Sequence, residues 1–264
     1  MKGLKEKVSI VMPAYNEAGH IQHSIEETAR TFNEFGCPWE LIMIDDGSTD
    51  NTYELAAALC AKYPQQLIVK KNSSNLGKGR AVKKALHYIS GEYVVFLDAD
   101  MDLHPLQVQT LFDIMRLDKA DIVIGSKLHP NSVVNYPLER KIMSFIYYLF
   151  VRIFFNLPCH DTQTGLKLFK IEVIRNVFPR ILVKQFAYDL EILVNANHLG
   201  YKIAEAPIVL SPQRDFGRIG MRAITTTFRD TLAVFYRMYV LKYYDRIDYH
   251  RRKNLAKEFR RMRR

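Results

Sequence analysis

The chain has 264 residues, 48% of them hydrophobic and 25% charged, with a formal net charge of +10. That length supports one large α/β domain or two small ones with a substantial core, and the balance excludes wholesale disorder. Cys37, Cys60 and Cys159 are odd in number and show no C-x-x-C spacing, which argues against a disulfide framework or a zinc site and for a reducing compartment.

Residues 1–7 are polar and carry no apolar signal-peptide core. Residues 8–12 are a short apolar run stopped by Pro13, the pattern of a buried strand. Between 17 and 35, Ile21, Ile25, Ala29 and Phe32 recur at helical spacing. A second strand is expected over 40–44, then a turn, then a helix capped by Thr49 or Asp50 with Leu55, Ala58 and Leu59 inward. A third strand (66–70), a glycine loop (75–79), a helix (80–90) and a fourth strand (93–97) ending at Asp98 follow, then a fifth strand at 121–124. After Ser126 the pattern predicts an aromatic helix (138–155), a strand (164–169), a helix (186–198), a strand (203–210) and a helical stretch from Met221 on. The apolar run 142–157 is broken by Arg152 and shorter than the ~20 residues of a spanning helix, so no membrane crossing is expected.

Near-continuous apolar strands alternating with helices predict an α/β fold with a mostly parallel sheet flanked by helices. Such sheets bind ligands beyond the carboxyl ends of their strands, where the polar clusters 13–17, 45–50 and 98–102 all fall. Asp98 and Asp100, at i and i+2 past a buried strand, can share a hard divalent cation, Mg²⁺ or Mn²⁺, and Asp102 offers a third oxygen. Asp46 and Glu17 stand at strand ends where a ribose hydroxyl can be met, whereas Asp50 reads as a cap. Gly77 and Gly79 read as backbone needs of a turn.

Four strings occur in order over the first hundred residues: 8–17 (Val-Ser-Ile-Val-Met-Pro-Ala-Tyr-Asn-Glu), 44–50 (Ile-Asp-Asp-Gly-Ser-Thr-Asp), 75–79 (Asn-Leu-Gly-Lys-Gly) and 97–100 (Leu-Asp-Ala-Asp). Together they resemble the family 2 inverting glycosyltransferases of GT-A fold. The resemblance implies a nucleotide-sugar donor, with Pro13, Tyr15, Asn16, Glu17, Ile44 and Asp46 lining the base and ribose pocket. It likewise implies that Asp98, Ala99 and Asp100 meet the diphosphate, and that Asp98, Asp100 and Asp102 hold the metal.

The second half resembles the narrower group of polyprenyl-phosphate sugar synthases, such as the dolichyl-phosphate glucose and mannose synthases. The likeness rests on Gly125-Ser126-Lys127, with Lys for the group's Arg, on 136–144 (Tyr-Pro-Leu-Glu-Arg-Lys-Ile-Met-Ser), on 161–169 (Asp-Thr-Gln-Thr-Gly-Leu-Lys-Leu-Phe), and on 186–191 and 214–218. It implies a polyprenyl-phosphate acceptor met by Lys127, Arg140, Ser144, Gln163, Lys167, Arg214 and Arg218. Asp161 either orients or activates the acceptor or is a structural partner of Lys167; with Asp100 it is a candidate catalytic residue. Whether the sugar is glucose or mannose, and the nucleotide UDP or GDP, the motifs leave open, as they do the oligomeric state.

Ile142, Phe145, Ile146, Leu149, Phe150, Ile153 and Phe154 form one apolar stripe, and Phe228, Leu232, Phe235, Tyr239 and Tyr243 a second. Residues 246–264 follow with nine Lys/Arg against Asp248 and Glu258. Aromatic and basic residues of this kind suit the interface of an anionic membrane, so the expectation is a peripheral enzyme on the cytoplasmic face. The division expected is a glycosyltransferase domain over 1–222, with a donor half (1–126) and an acceptor half (127–222), and a basic helical tail over 223–264. A sugar-phosphate nucleotidyltransferase would need a glycine-rich loop where Pro13 to Glu17 stand, and a dehydrogenase a G-x-G-x-x-G that is missing. A nucleic-acid-binding module would leave the acidic crevice idle, so no nucleic-acid partner is expected.

Overall fold

The computed structural model describes residues 3–135, 137–183, 187–212 and 221–246, the first four of the last span in backbone only. Seven strands make one sheet: β1 (Val8–Ala14), β2 (Trp39–Asp45), β3 (Leu67–Lys71), β4 (Tyr93–Phe96), β5 (Ile122–Ser126), β7 (Lys167–Lys170) and β8 (Ile203–Pro207). Their order is β3-β2-β1-β4-β7-β5-β8. All neighbours run parallel except β7, which is antiparallel to both β4 and β5. A second, two-stranded parallel sheet pairs β6 (Val133–Val134) with β9 (Val209–Leu210).

The strands read as continuous apolar runs because both faces are covered. Val8, Ile10 and Met12 of β1 and Leu41 and Met43 of β2 join one core cluster, packed with Ile21, Ile25 and Phe32 of α1 (Ile21–Phe35) and Leu111 and Phe112 of α4 (Val108–Leu117). Val11, Ile42 and Ile44 point the other way, against Ala81 and Val82 of α3 (Lys78–Ala85), Val173 of α6 (Ile171–Val177) and Leu193 of α7 (Tyr188–His198). Each fully buried Ile, Leu or Phe contributes about 1.5–3 kcal/mol of hydrophobic stabilisation. Strand alternation thus sorts a single run of sequence between two cores.

Several boundaries differ from the sequence reading, each for a local reason. Helix α1 begins at Ile21 rather than 17, because Asn16 takes φ 55° and the Glu17 and Ala18 N–H groups donate to Thr52 Oγ1 and Asp50 Oδ2 instead of starting a helix. The segment 164–166 is a turn, and β7 begins at Lys167. Residues 203–210 divide between the two sheets. The N-cap of α2 (Thr52–Ala58) is Asn51, with no side-chain cap bond, rather than Thr49 or Asp50; Asp50 stands one residue earlier, its Oδ1 accepting the Thr52 N–H at 3.0 Å.

Candidate active site

The sheet order reverses between β1 and β4, and ligands in open α/β sheets bind at such switch points. Four loops meet there, after β1, β2, β3 and β4. The loop after β1 is tied to the loop after β2: the Asn16 N–H donates to Ser48 Oγ (2.9 Å), and Asn16 Oδ1 accepts the Thr49 N–H (2.9 Å). Asn16 therefore fixes the two loops to each other. Tyr15 stands 42% exposed at the strand end, an aromatic face open to a base.

Three residues expected to meet the donor are committed within the protein. Asp46 is buried; its Oδ1 accepts from Asn72 Nδ2 (2.8 Å) and the Leu76 N–H (3.1 Å), and its Oδ2 from the Gly77 N–H (2.8 Å). A carboxylate offers about four acceptor sites, so one is left for a ligand, and the main task of Asp46 is to fasten the Leu76–Gly77 turn, where Gly77 takes φ 96°. Ile44 is wholly buried among the α3 side of the core and offers a ligand only its backbone. Ala99 is buried too, its carbonyl accepting from Ser24 Oγ at 2.5 Å.

Asp98 and Asp100 follow β4. Lys78, the first residue of α3, reaches across from the glycine loop and places Nζ 2.5 Å from Asp98 Oδ1. The sequence reading passed over Lys78, whose signal was a lysine set between Gly77 and Gly79. Burial works against its charge, but Asp98, Asp189 and Asp100 outweigh it and hold the ammonium above its ordinary pKa. Asp100 moves oppositely: burial first, then repulsion from Asp98 and Asp102, pushes it up to about 6. Excess negative charge on hard oxygens fits a divalent cation at Asp98 and Asp100.

Asp102 is not drawn together with them in this structure. Among the described residues no group of three or more His, Cys, Asp or Glu is gathered for a metal. The cause is local: Asp98 is drawn to Lys78, and Asp100 Oδ1 turns back to accept the Asp102 N–H at 3.1 Å.

The far wall of the crevice comes from the second half of the chain. Because β7 runs antiparallel to β4 with Phe96 opposite Lys167, the residue two before Lys167 faces the residue two after Phe96. Gly165 is thus packed against Asp98, and a Cβ built on it would stand 2.0 Å from Asp98 Oδ2. Asp161, 7% exposed, accepts from the Lys127 N–H (3.0 Å), the Gln163 N–H (3.0 Å) and Thr164 Oγ1 (2.6 Å), with Lys127 Nζ 3.0 Å away. Burial opposes its charge, but the Lys127 ammonium and the Thr164 hydroxyl hold it below the usual carboxylate range. Three of these four contacts fall on Oδ2, so Asp161 orders the turn with that oxygen, and its partner is Lys127 rather than Lys167.

Lys167, expected among the acceptor-binding cations, is 1% exposed. Its ammonium pairs with Asp189 Oδ1 at 2.6 Å and donates to the Thr164 carbonyl, so it is a core residue unable to meet a lipid phosphate. Gln163 lies half-buried beside Tyr147. Arg140 and Ser144 sit in the first two turns of α5 (Leu138–Phe155). Arg214 and Arg218 lie outside the described residues, as do Tyr136 and the tail beyond 246.

Helix α5 carries two apolar faces where one stripe was expected. Leu138, Ile142, Phe145, Ile146, Leu149 and Ile153 are exposed, Ile153 by 72%. Phe150 and Phe154 instead make edge-to-face contacts with Phe228 and Phe235 of α8 (Met221–Phe235). Most of the second stripe is spent on that seam, with Tyr239 against Phe235. Tyr147, on the α5 side facing the protein, bonds Thr231 Oγ1 at 3.0 Å; burial, chiefly, pushes its hydroxyl up to about 12. No helix of the described residues is long and apolar enough to cross a membrane.

Residues 9–178 match glycosyl transferase family 2. The chain is similar to the dolichyl-phosphate beta-glucosyltransferase of Saccharomyces cerevisiae, 32% identical over 220 residues, covering 76% of this chain and 66% of that protein. The enzyme of the same description from Dictyostelium discoideum is 33% identical over 213 residues, covering 76% and 65%. The chain spans just under two thirds of the length of these relatives. Among solved structures it is similar to glucosyl-3-phosphoglycerate synthase from Mycobacterium tuberculosis in complex with Mn²⁺, UDP and phosphoglyceric acid. That likeness has a TM-score of 0.66 over 88% of this chain and 78% of that one, at 20% identity. It is a likeness of fold, the GT-A fold expected from the motifs.

Proposed function

The chain belongs to glycosyl transferase family 2, and on that premise we propose that it moves glucose, with inversion, from UDP-glucose to the phosphate of a dolichyl-type polyprenyl lipid at a membrane surface. The names of the two relatives support the sugar and the acceptor, and the UDP held by the structural neighbour supports the nucleotide. The observation that carries the reading is one line of contacts. Asp98 touches Gly165; two residues earlier Gln163 lies beside Tyr147; and Tyr147 belongs to α5, whose other face is the exposed apolar surface. That line joins a crevice suited to a phosphate head with a surface suited to an apolar tail.

The residues divide the chemistry between them. Tyr15 stacks on the base, and the Asn16–Ser48–Thr49 bonds hold its loop in register. Lys78 meets the diphosphate together with Asp98 and Asp100. A divalent cation, Mg²⁺ or Mn²⁺, held by that pair supplies, when bound, neutralisation of the charge that collects on the leaving nucleotide. A phosphate monoester, with its second pKa near ~6, is already dianionic at neutral pH, so its oxygen attacks the anomeric carbon with no base to remove a proton. What the site supplies is position and positive charge. Arg140, Arg214 and Arg218 are proposed for the acceptor phosphate, with Ser144 as a donor. Lys127 is committed to Asp161 and acts through the turn.

The apolar face of α5 and the basic tail are proposed to rest on an anionic bilayer. The unpaired Cys37, Cys60 and Cys159 suit the reducing, cytoplasmic side. A thermal-shift panel of UDP- and GDP-sugars with Mn²⁺ tests the donor: UDP-glucose at saturation raises the midpoint, since a ligand that binds only the native state stabilises it. No shift with any donor overturns the assignment. Transfer to a polyprenyl phosphate but not to 3-phosphoglycerate is the outcome expected for the acceptor.

A further inference from the structure

Two contacts from outside its own loop hold the Asp98 carboxylate. Lys78 Nζ sits 2.5 Å from Oδ1. On the other side Gly165 leaves so little room that a Cβ there would meet Oδ2 at 2.0 Å and Cγ at 2.4 Å. Resting on the donor reading above, we infer that Gly165 is a positioning residue for Asp98: the turn 161–165 is the wall that keeps this carboxylate aimed into the crevice. The pairs Lys127–Asp161 and Lys167–Asp189 hold that wall.

The wall is anchored at both ends. Asp161 gathers the Lys127 and Gln163 N–H groups and the Thr164 hydroxyl, so the start of the turn has one geometry. At its end Lys167 donates to the Thr164 carbonyl, the peptide group joined to Gly165, and is itself fixed by Asp189 at 2.6 Å. Asp189 stands at the start of α7 beside Tyr188, and the charges of Asp98 and Lys78 are felt there. The Lys167–Asp189 pair is sealed from water and Asp161 is itself buried, so the turn cannot relax without leaving a buried charge unpaired. The part of the chain expected to serve the acceptor therefore sets a side chain that serves the donor.

Gly165 isolates the effect. Its backbone does not need a left-handed φ, and the three closest atoms to an added Cβ all belong to the Asp98 carboxylate, the free end of a side chain that can swing. Gly165→Ala therefore keeps the fold and moves Asp98. Three readouts test this on the full chain: the melting temperature, the ¹³C resonance of the Asp98 carboxyl without ligand, and titration of UDP and of GDP with Mn²⁺. Outer groups that orient metal ligands typically affect metal affinity by ~10–100-fold. The expected result is a near-normal melting temperature, a displaced carboxyl resonance and at least about tenfold weaker Mn²⁺-dependent nucleotide binding. Lys167→Met with Asp189→Leu, which removes both buried charges together, shifts the resonance and the affinity in the same direction by less.

An unmoved resonance with unchanged affinity in Gly165→Ala overturns the inference. If that variant unfolds, wild-type affinity in the double variant overturns it. Wild-type protein that binds neither nucleotide overturns the donor reading instead, while the ligand-free resonance still decides the role of Gly165.

Discussion

Lys127 satisfies Asp161 twice through a single oxygen: its backbone N–H donates to Oδ2 at 3.0 Å, and its ammonium stands 3.0 Å from the same atom. Breaking a buried pair from one side costs about 3–5 kcal/mol, and since Lys127 is partly exposed, Lys127→Met is expected to lose about 2–3 kcal/mol at neutral pH. The pH dependence should change sign. In the wild type Asp161 titrates below its unfolded value, so its stabilisation is present above the ordinary range near ~3.9 and is lost as pH falls through the lower folded value. In the variant burial dominates and the folded pKa rises above the unfolded one. Stability then recovers on acidification from neutral pH, where the wild type gains nothing. Melting temperatures from pH 7 to 5 check this, and parallel profiles for the two proteins would refute it.

Lys78→Met tests the cation missed in the sequence. Its ammonium offsets Asp98 and Asp100, so the variant keeps its fold but presents a more negative crevice to an anionic diphosphate. A drop in kcat/KM of about 100-fold, corresponding to ~2.7 kcal/mol of lost transition-state stabilisation, is expected. The UDP-glucose thermal shift should shrink with it. Unaltered turnover would remove Lys78 from the site.

How far the sequence could be read follows from how local each interaction is. Asp98 and Asp100 were legible because two carboxylates at i and i+2 after an apolar strand are a pattern within five residues. Ile21, Ile25, Ala29 and Phe32 as a buried face were legible for the same reason. The Lys78–Asp98, Lys127–Asp161 and Lys167–Asp189 pairings were not. The first depends on α3 lying over β1 and β2 next to β4, and the other two on strand β7 entering the sheet antiparallel between β4 and β5, topological choices that periodicity does not encode. The Lys167 position shows the cost: a lysine near a crevice reads as a ligand until its neighbours close over it. The split of α5 between an exposed face and an aromatic seam was hidden likewise, since one stripe of Ile, Leu and Phe serves both.

The exposed face of α5 separates membrane attachment from catalysis. Phe145, Ile146, Leu149 and Ile153 make little of the core, so Ile146→Glu with Ile153→Glu should change the stability by less than about 1 kcal/mol. Flotation with anionic liposomes should fall, and transfer to a long-chain polyprenyl phosphate with it. Transfer to a short, water-soluble analogue should persist. Equal loss on both acceptors would mean that the face belongs to the active site.

Glu191 joins the C-terminal segment to the loop that leads into α7. Its Oε2 accepts the Leu182 and Val183 N–H groups at 2.8 and 2.7 Å, while its Oε1 takes the Tyr244 hydroxyl and lies 3.3 Å from Arg237 Nη2. The carboxylate is wholly buried. Burial, with the Glu191 charge beside it, raises the Tyr244 hydroxyl well above its usual value, so that proton stays on the phenol and the bond is donated toward Glu191. Glu191→Ala strands four donors at once and should cost about 3–5 kcal/mol, with hydrogen exchange rising first in the Leu182–Val183 loop and around Tyr244. Glu191→Gln keeps the side-chain length and one carbonyl acceptor but loses the charge facing Arg237, so a smaller loss with the same exchange pattern is expected. Val183 also contributes a carbonyl to the close packing around Gly79, next to Lys78. Loosening at Glu191 should therefore weaken UDP binding before the protein unfolds, in a titration held well below the melting temperature. Full UDP affinity alongside fast exchange in the 182–183 loop would show that the loop and the glycine turn move independently.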